Sequence, residues 1–144
     1  MIPRFNIATD TPELYKSLLA LNAAIAKSGA DTRLIHLIKI RVSQINGCAF
    51  CVNMHTNEAL EDGVEQSVLN MLPVWREAKA FSPRERTALS WAETLTSLAG
   101  SGVSDEDFES AREEFTEQEL AALTIAVGTM NLWNRVGVGA NMTA

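Results

Sequence analysis

Apolar residues recur along this chain every three to four positions, and helix caps, glycines and prolines separate the stretches that carry this rhythm. Leu14, Leu18, Leu21 and Ile25 form the first stripe. Asp10 or Thr11 caps it, Pro12 and Glu13 occupy its first turn, and Ser28-Gly29 closes it. Asp31 or Thr32 opens a second helix, in which Leu34, Leu37, Ile38, Arg41 and Ile45 keep a period of about 3.6. Asn46-Gly47 interrupts that helix and puts Cys48 at the start of a third, ending near Asp62-Gly63. A short helix is expected from Glu65 to Leu72, stopped by Pro73, whereas Val74 to Phe81 carries no readable period. Ser82-Pro83-Arg84-Glu85 combines a cap, a first-turn proline and a glutamate at the box position, so a helix follows through Trp91 and Glu93 to about Leu98. Ser104 before Asp105, Glu106 and Asp107 opens another short helix. Thr116 with Glu119 makes a capping box for a last one, from about Glu117 into the Asn134 region. No segment alternates over a strand's length, and Asn46-Gly47, the one hairpin-like dipeptide, is flanked by helical periodicity. The pattern predicts an all-α fold, one domain over residues 1–144 built as a bundle of six or seven helices.

Composition narrows the function classes. A chain of 144 residues with 47% apolar and 21% charged side chains buries a sizeable core and is not a disordered tract. Its 18 acidic residues outnumber 12 basic ones, for a formal net charge of −6. That balance argues against nucleic acid or an anionic membrane as partner. No apolar run reaches the roughly 18 residues of a membrane span, and the opening Met1-Ile2-Pro3-Arg4-Phe5-Asn6 lacks the apolar centre of a secretory signal. The cytosol is therefore the expected compartment, where structural disulfides rarely persist. Neither glycine-rich phosphate-binding pattern occurs, and no cofactor is expected.

Against that background the two cysteines stand out, three apart in Gly47-Cys48-Ala49-Phe50-Cys51-Val52-Asn53-Met54-His55. At about 100° per helical residue, Cys51 falls roughly 60° from Cys48 and His55 about 20° from Cys48, so all three share one face. Cys51 and His55 are also i,i+4 neighbours, whose side chains meet. An imidazole there can take the thiol proton, and the helix N-terminus favours the thiolate near Cys48. One thiolate can attack a substrate while the second resolves the product into a disulfide. The same residues have other uses. Both cysteines fit a core as small apolar groups. Cys48, Cys51 and His55 also have zinc-ligand spacing, with His36 available from the preceding helix, although no second closely spaced ligand pair exists. Glu58 either orients His55 from the next turn or is a solvated carboxylate. Glu93, among Ala88, Leu89, Ala92 and Leu95, is either a buried relay group or an ion-pair partner. Trp133, Asn134 and Arg135 suit packing and subunit contacts, and the acidic cluster from Asp105 to Glu109 suits a solvated face.

The run from Arg41 to His55 closely resembles the core motif of the carboxymuconolactone decarboxylase-like superfamily, and within it the alkylhydroperoxidase AhpD-type branch, which keeps both cysteines. Trp75-Arg76-Glu77, Phe81-Ser82-Pro83-Arg84-Glu85-Arg86, Trp91-Ala92-Glu93 and Asn131-Leu132-Trp133-Asn134-Arg135 are similar to the same branch. The resemblance implies an all-helical fold assembling as homo-trimers or homo-hexamers. It also implies an antioxidant peroxidase activity, with a hydroperoxide as substrate and a lipoyl- or thioredoxin-type dithiol as reductant. By match to the motif, Cys51 is the peroxide-reacting thiol, Cys48 the resolving thiol and His55 the relay histidine; thioredoxin logic would instead make Cys48 the nucleophile. Two departures matter. The family's relay glutamate is expected twelve residues before the first cysteine, where this chain has His36. Phe50 stands where AhpD resembles a site with an additional histidine. His36 can pass a proton but supplies no fixed negative charge, and Glu93 is the candidate substitute. A zinc-binding module, or a non-enzymatic helical oligomer with a vestigial redox motif, is the alternative reading.

Overall fold

The computed structural model describes residues 2–144, as helices joined by short turns with no strand among them. In chain order these are α1 (Ile7–Asp10), α2 (Pro12–Ala26), α3 (Thr32–Ile45), α4 (Ala49–Glu61), α5 (Gln66–Met71), α6 (Pro83–Thr96), α7 (Leu98–Ser101), α8 (Asp105–Glu114) and α9 (Glu117–Ala140), with a 3-10 turn at Leu72–Val74. The all-α expectation is met, but the count of six or seven helices is not, because α1 and α7 are single turns of four residues each. Four residues cannot show a helical period. What holds α1 is local: the Asn6 side chain accepts from the Ala8 N–H at 2.9 Å, and the Asp10 carboxylate accepts from the Asn6 N–H at 2.9 Å. Asp10 therefore belongs to α1, and Thr11 is the N-cap residue of α2 without a side-chain cap bond. Pro73 likewise sits inside the 3-10 turn rather than ending a helix at Leu72.

Capping chemistry sets the other boundaries as expected. Ser82 with Glu85, Ser104 with Asp107 and Thr116 with Glu119 each satisfy two orphan amides reciprocally. Asp31 caps α3 by accepting from the Leu34 N–H at 2.9 Å. The stretch from Val74 to Phe81 is held by two side chains from α6, Arg86 and Glu93. Arg86 donates to the carbonyls of Trp75, Ala78 and Arg76 at 2.9, 3.1 and 2.7 Å, and seats Trp75 and Phe81 in the core.

Helix α3 is the central element, packed on α4, α6 and α9. Leu34, Ile38 and Val42 enter one core with both cysteines, Ala88, Trp91, Leu123, Val127 and Met130. Leu37 and Ile40 enter a second with Ala59, Val68, Leu69, Leu72 and Trp75. By contrast α2 buries no residue, and Leu14, Leu19 and Leu21 of its apolar set lie exposed. It is held to α9 by an edge-on contact between the rings of Tyr15 and Trp133, with centroids 6.3 Å apart. The Trp133 indole N–H also donates to Asn22 Oδ1 at 3.1 Å.

A buried polar chain fixes the turn between α3 and α4. Asn134 of α9, almost wholly buried, donates to Ser43 Oγ at 2.9 Å and accepts from the Asn46 side-chain amide at 3.0 Å. That amide also reaches Asn131 Oδ1 at 3.0 Å. Leaving buried partners unpaired costs more than the hydrogen bonds themselves contribute. Asn134→Ala is therefore expected to lower the free energy of unfolding by about 2–4 kcal/mol in urea denaturation. A loss under ~0.5 kcal/mol would mean that this chain does not hold the junction.

Candidate active site

The site begins where α3 stops. Gly47 adopts φ +67°, a backbone conformation open to glycine, and turns the chain so that Cys48 becomes the N-cap residue of α4. Its sulfur takes the capping role, accepting from the Cys51 N–H at 3.3 Å. Cys48 and Cys51 are joined as a disulfide, with Cα atoms 5.3 Å apart, and both residues are buried. Helix α9 crosses directly over the sulfurs. A methyl group at Gly137 would stand 2.8 Å from Cys48 Sγ and 3.2 Å from Cys51 Sγ, so only a glycine lets the helix pass at this distance.

One turn along α4, His55 is buried and its Nδ1 shares a 2.8 Å hydrogen bond with Glu58 Oε2. The carboxylate can only accept, so Nδ1 carries the hydrogen, and in the neutral ring Nε2 is left as the basic atom. Burial pushes the His55 pKa below its ordinary 6.5, while the hydrogen bond and charge of Glu58 oppose that shift. Lys39 and His36 act in the same direction as burial.

The remaining candidates lie apart from the sulfurs. His36 donates through Nε2 to Asp62 Oδ2 at 2.7 Å, tying α3 to the end of α4, and its buried Nδ1 has no hydrogen-bond partner. Glu93 takes the place of an ion-pair anchor. Its Oε1 accepts from Arg41 Nε at 2.8 Å and from the Trp75 indole at 2.9 Å, and Arg76 engages Oε2. Burial raises the Glu93 pKa, but the bonds from Trp75, Arg41 and Arg76 outweigh it and hold the carboxyl below its ordinary value. A carboxylate occupied by three donors has little capacity left as a mobile proton carrier. Nor is a zinc tetrahedron assembled: the sulfurs are bonded to each other and His36 to Asp62. Among the described residues no group of three or more His, Cys, Asp and Glu side chains is arranged to hold a metal ion.

A cavity of about 530 Å³ lies between α2, α3, α4 and α9. Cys51, His55 and Glu58 line it, and Cys48, His36 and Glu93 do not. Of the five residues singled out from sequence, the structure thus brings Cys51 and His55 to one surface, with Cys48 bonded behind. Sequence reasoning passed over Lys39 and Gly137. Lys39 carried no motif. Gly137 carried a weak signal, since a glycine within a helical pattern often marks a close approach.

Comparison with known proteins agrees with this architecture. The model of the carboxymuconolactone decarboxylase family matches residues 12–94. The uncharacterized protein YdfG of Bacillus subtilis is 35% identical over 127 residues, which are 88% of this chain and 86% of YdfG. A crystal structure of a protein of unknown function from Agrobacterium tumefaciens, named as a candidate antioxidant defence protein AhpD, is 41% identical with a TM-score of 0.94, covering 98% of this chain and 97% of that one. The debrominase Bmp8 shares the fold alone, with a TM-score of 0.85 at 17% identity over 94% of this chain and 73% of its own. With the family match spanning more than half of its length, and with YdfG aligned over most of both chains, this protein belongs to the carboxymuconolactone decarboxylase family and carries its AhpD-type core.

Proposed function

We propose that this chain is a thiol-dependent antioxidant enzyme that reduces hydroperoxides at Cys51 and closes the Cys48–Cys51 disulfide in doing so. The observation that carries the reading is the placement of Cys51 and His55 on one cavity wall, with the second sulfur in bonding contact behind. In the reduced pair, Nε2 of His55 accepts the Cys51 proton. The thiolate then attacks one peroxide oxygen; an S–O bond forms, the O–O bond breaks, and the departing alkoxide takes the proton back from His55 to leave as the alcohol. The Cys48 sulfur next displaces hydroxide from the Cys51 sulfenic acid, its own proton leaving with that hydroxide as water. A dithiol of the lipoyl or thioredoxin type returns two protons and two electrons by exchange.

In this reading Glu58 keeps the imidazole oriented and supplies the negative charge that His36 does not. His36 and Glu93 are positioning groups, the first bracing α3 against α4 and the second clamping Arg41, Trp75 and Arg76. A compartment that keeps thiols reduced suits the cycle, which makes the cytosol part of the proposal. The exposed leucines of α2 favour a homo-trimer or homo-hexamer in which a second copy covers them. The antioxidant name of the 41% identical Agrobacterium protein supports the activity.

The chemistry is tested with tert-butyl hydroperoxide and dihydrolipoamide. Cys51→Ser is expected to reduce consumption to background. Cys48→Ser should give one equivalent of turnover and then stop, with a sulfenic acid at Cys51 trapped by dimedone and located by mass spectrometry. Undiminished turnover by Cys51→Ser would refute the proposal.

Electrostatics at His55 give a second test. In the disulfide form its imidazole should titrate below 6.5 by NMR, and Glu58→Gln should move the midpoint lower still by removing the opposing charge. The folded value lies below the unfolded one, so this group contributes stability in full above pH 6.5 and loses it as pH falls through the folded midpoint. A midpoint above 6.5 in the oxidised protein would contradict this account of the burial.

Gly137→Ala supplies the third. Its methyl group overpacks the sulfurs, with an expected loss of about 1–3 kcal/mol in thermal unfolding of the oxidised protein. A neutral substitution would show that α9 does not press on the disulfide.

A further inference from the structure

The cavity at Cys51 is far larger than a small peroxide needs. At about 530 Å³ it falls within the usual range for sites that enclose whole organic ligands. Its wall is mostly apolar, with Tyr15, Ile35, Phe50, Met130 and Trp133 among the residues that face it. Such a surface selects for a hydrocarbon body.

The charged groups on the wall are distributed unevenly. Lys39, His55 and Glu58 are the basic and acidic residues that line it, and Glu58 is committed to His55. Lys39 is half-buried and near enough to influence the imidazole, yet among the described residues no carboxylate lies within ion-pair distance of its ammonium. The chain is rich in acidic side chains elsewhere, 18 against 12 basic, so a lone ammonium at an apolar cavity is an unbalanced feature. A cation partly removed from water is stabilised by an anion set against it, and a carboxylate gives a charge-assisted bond.

We propose that this cavity binds a medium-chain amphiphilic carboxylate, its acid group on Lys39 and its hydrocarbon chain along Ile35, Phe50, Met130 and Trp133. Resting on the peroxidase reading, this makes hydroperoxides carried on such acids the substrate class: Lys39 anchors the head while the O–O bond on the chain lies toward Cys51. Bond making and breaking are those given above, and Lys39 takes no part in proton transfer. The assignment also gives the extra volume a use. Binding energy from the chain and head, remote from the reacting oxygens, positions the peroxide for attack.

The test is calorimetric binding of decanoate and of decanol to the oxidised protein, which carries the disulfide and turns nothing over. Decanoate is expected to saturate at one per chain. Lys39→Gln should weaken it roughly tenfold, Lys39→Arg should retain most of the affinity, and decanol should bind both variants and the parent alike. Circular dichroism of each variant excludes a folding defect as the cause of a lost signal. Absence of decanoate binding, or equal affinity in the parent, Lys39→Gln and Lys39→Arg, would overturn the assignment. Because no peroxide is used, the outcome separates from the Cys51→Ser experiment. Decanoate capture without peroxide turnover keeps the ligand class and removes the chemistry; turnover of a small peroxide without decanoate capture does the reverse.

Discussion

Everything in this molecule turns on the contact between two cysteine sulfurs and the backbone of α9 at Gly137. The sulfurs occupy the first turn of α4, where Cys48 caps the helix and Cys51 follows by three. Helix α9 lies so close above them that a single added carbon would sit inside van der Waals distance of both. The closeness defines what the site can do. Of the two sulfur-bearing residues only Cys51 lines the cavity, which Gly137 of α9 also borders, so the pair opens to the cavity through Cys51. The polar chain through Ser43, Asn134 and Asn46 serves the same contact, because it fixes the turn that delivers Cys48 and the register of α9 with one set of bonds. Groups so buried are expensive to leave unsatisfied, which makes the arrangement specific as well as stable.

The acid–base part of the site is a balance between desolvation and one carboxylate. Burial favours a neutral His55, and Glu58 restores part of the basicity that burial removes. With Nδ1 held by Glu58, the free nitrogen is Nε2. On the proposed chemistry, an imidazole of lowered pKa suits transient proton storage: it takes the Cys51 proton as the thiolate forms and returns it readily to a strongly basic alkoxide.

What the sequence made legible follows the range of the interactions concerned. Capping boxes at Ser82 and Thr116 are contained within four residues and form as read, and the helix start at Ser104 proves to be a box as well, closed by Asp107. Cys51 and His55 depend on helical spacing alone and lie on one cavity wall, whereas Cys48 is the extended N-cap residue before α4, where helical spacing does not apply. Features that need two distant segments were not readable. The apolar stripe of α2 reads like a core face, yet Leu14 and Leu21 are exposed and Leu18 and Ile25 only half-buried, since periodicity records amphipathicity and not the element that covers it. Arg86 orders a stretch without period by binding its carbonyls from α6. Glu93 reads as a carboxylate on an apolar helix, and only the fold supplies the three donors that occupy it.

Around His36 the charged groups of the site form separate pairs. A glutamate in α3 would place negative charge on the helix that faces α4; here that helix presents His36 and Lys39 instead. Both lower the basicity of His55. Negative charge comes instead from Glu58 of α4, which engages His55, and from Asp62 just past the end of α4, which engages His36. Each imidazole thus acquires its own carboxylate, and the pairs lie on separate hydrogen bonds with no shared atom. Lys39 is left without such a partner at the cavity wall. On the proposed chemistry, positive charge on the wall that Lys39 shares with Cys51 favours a thiolate as well as an anionic ligand, so the charge that weakens His55 as a base also eases the task that base must perform.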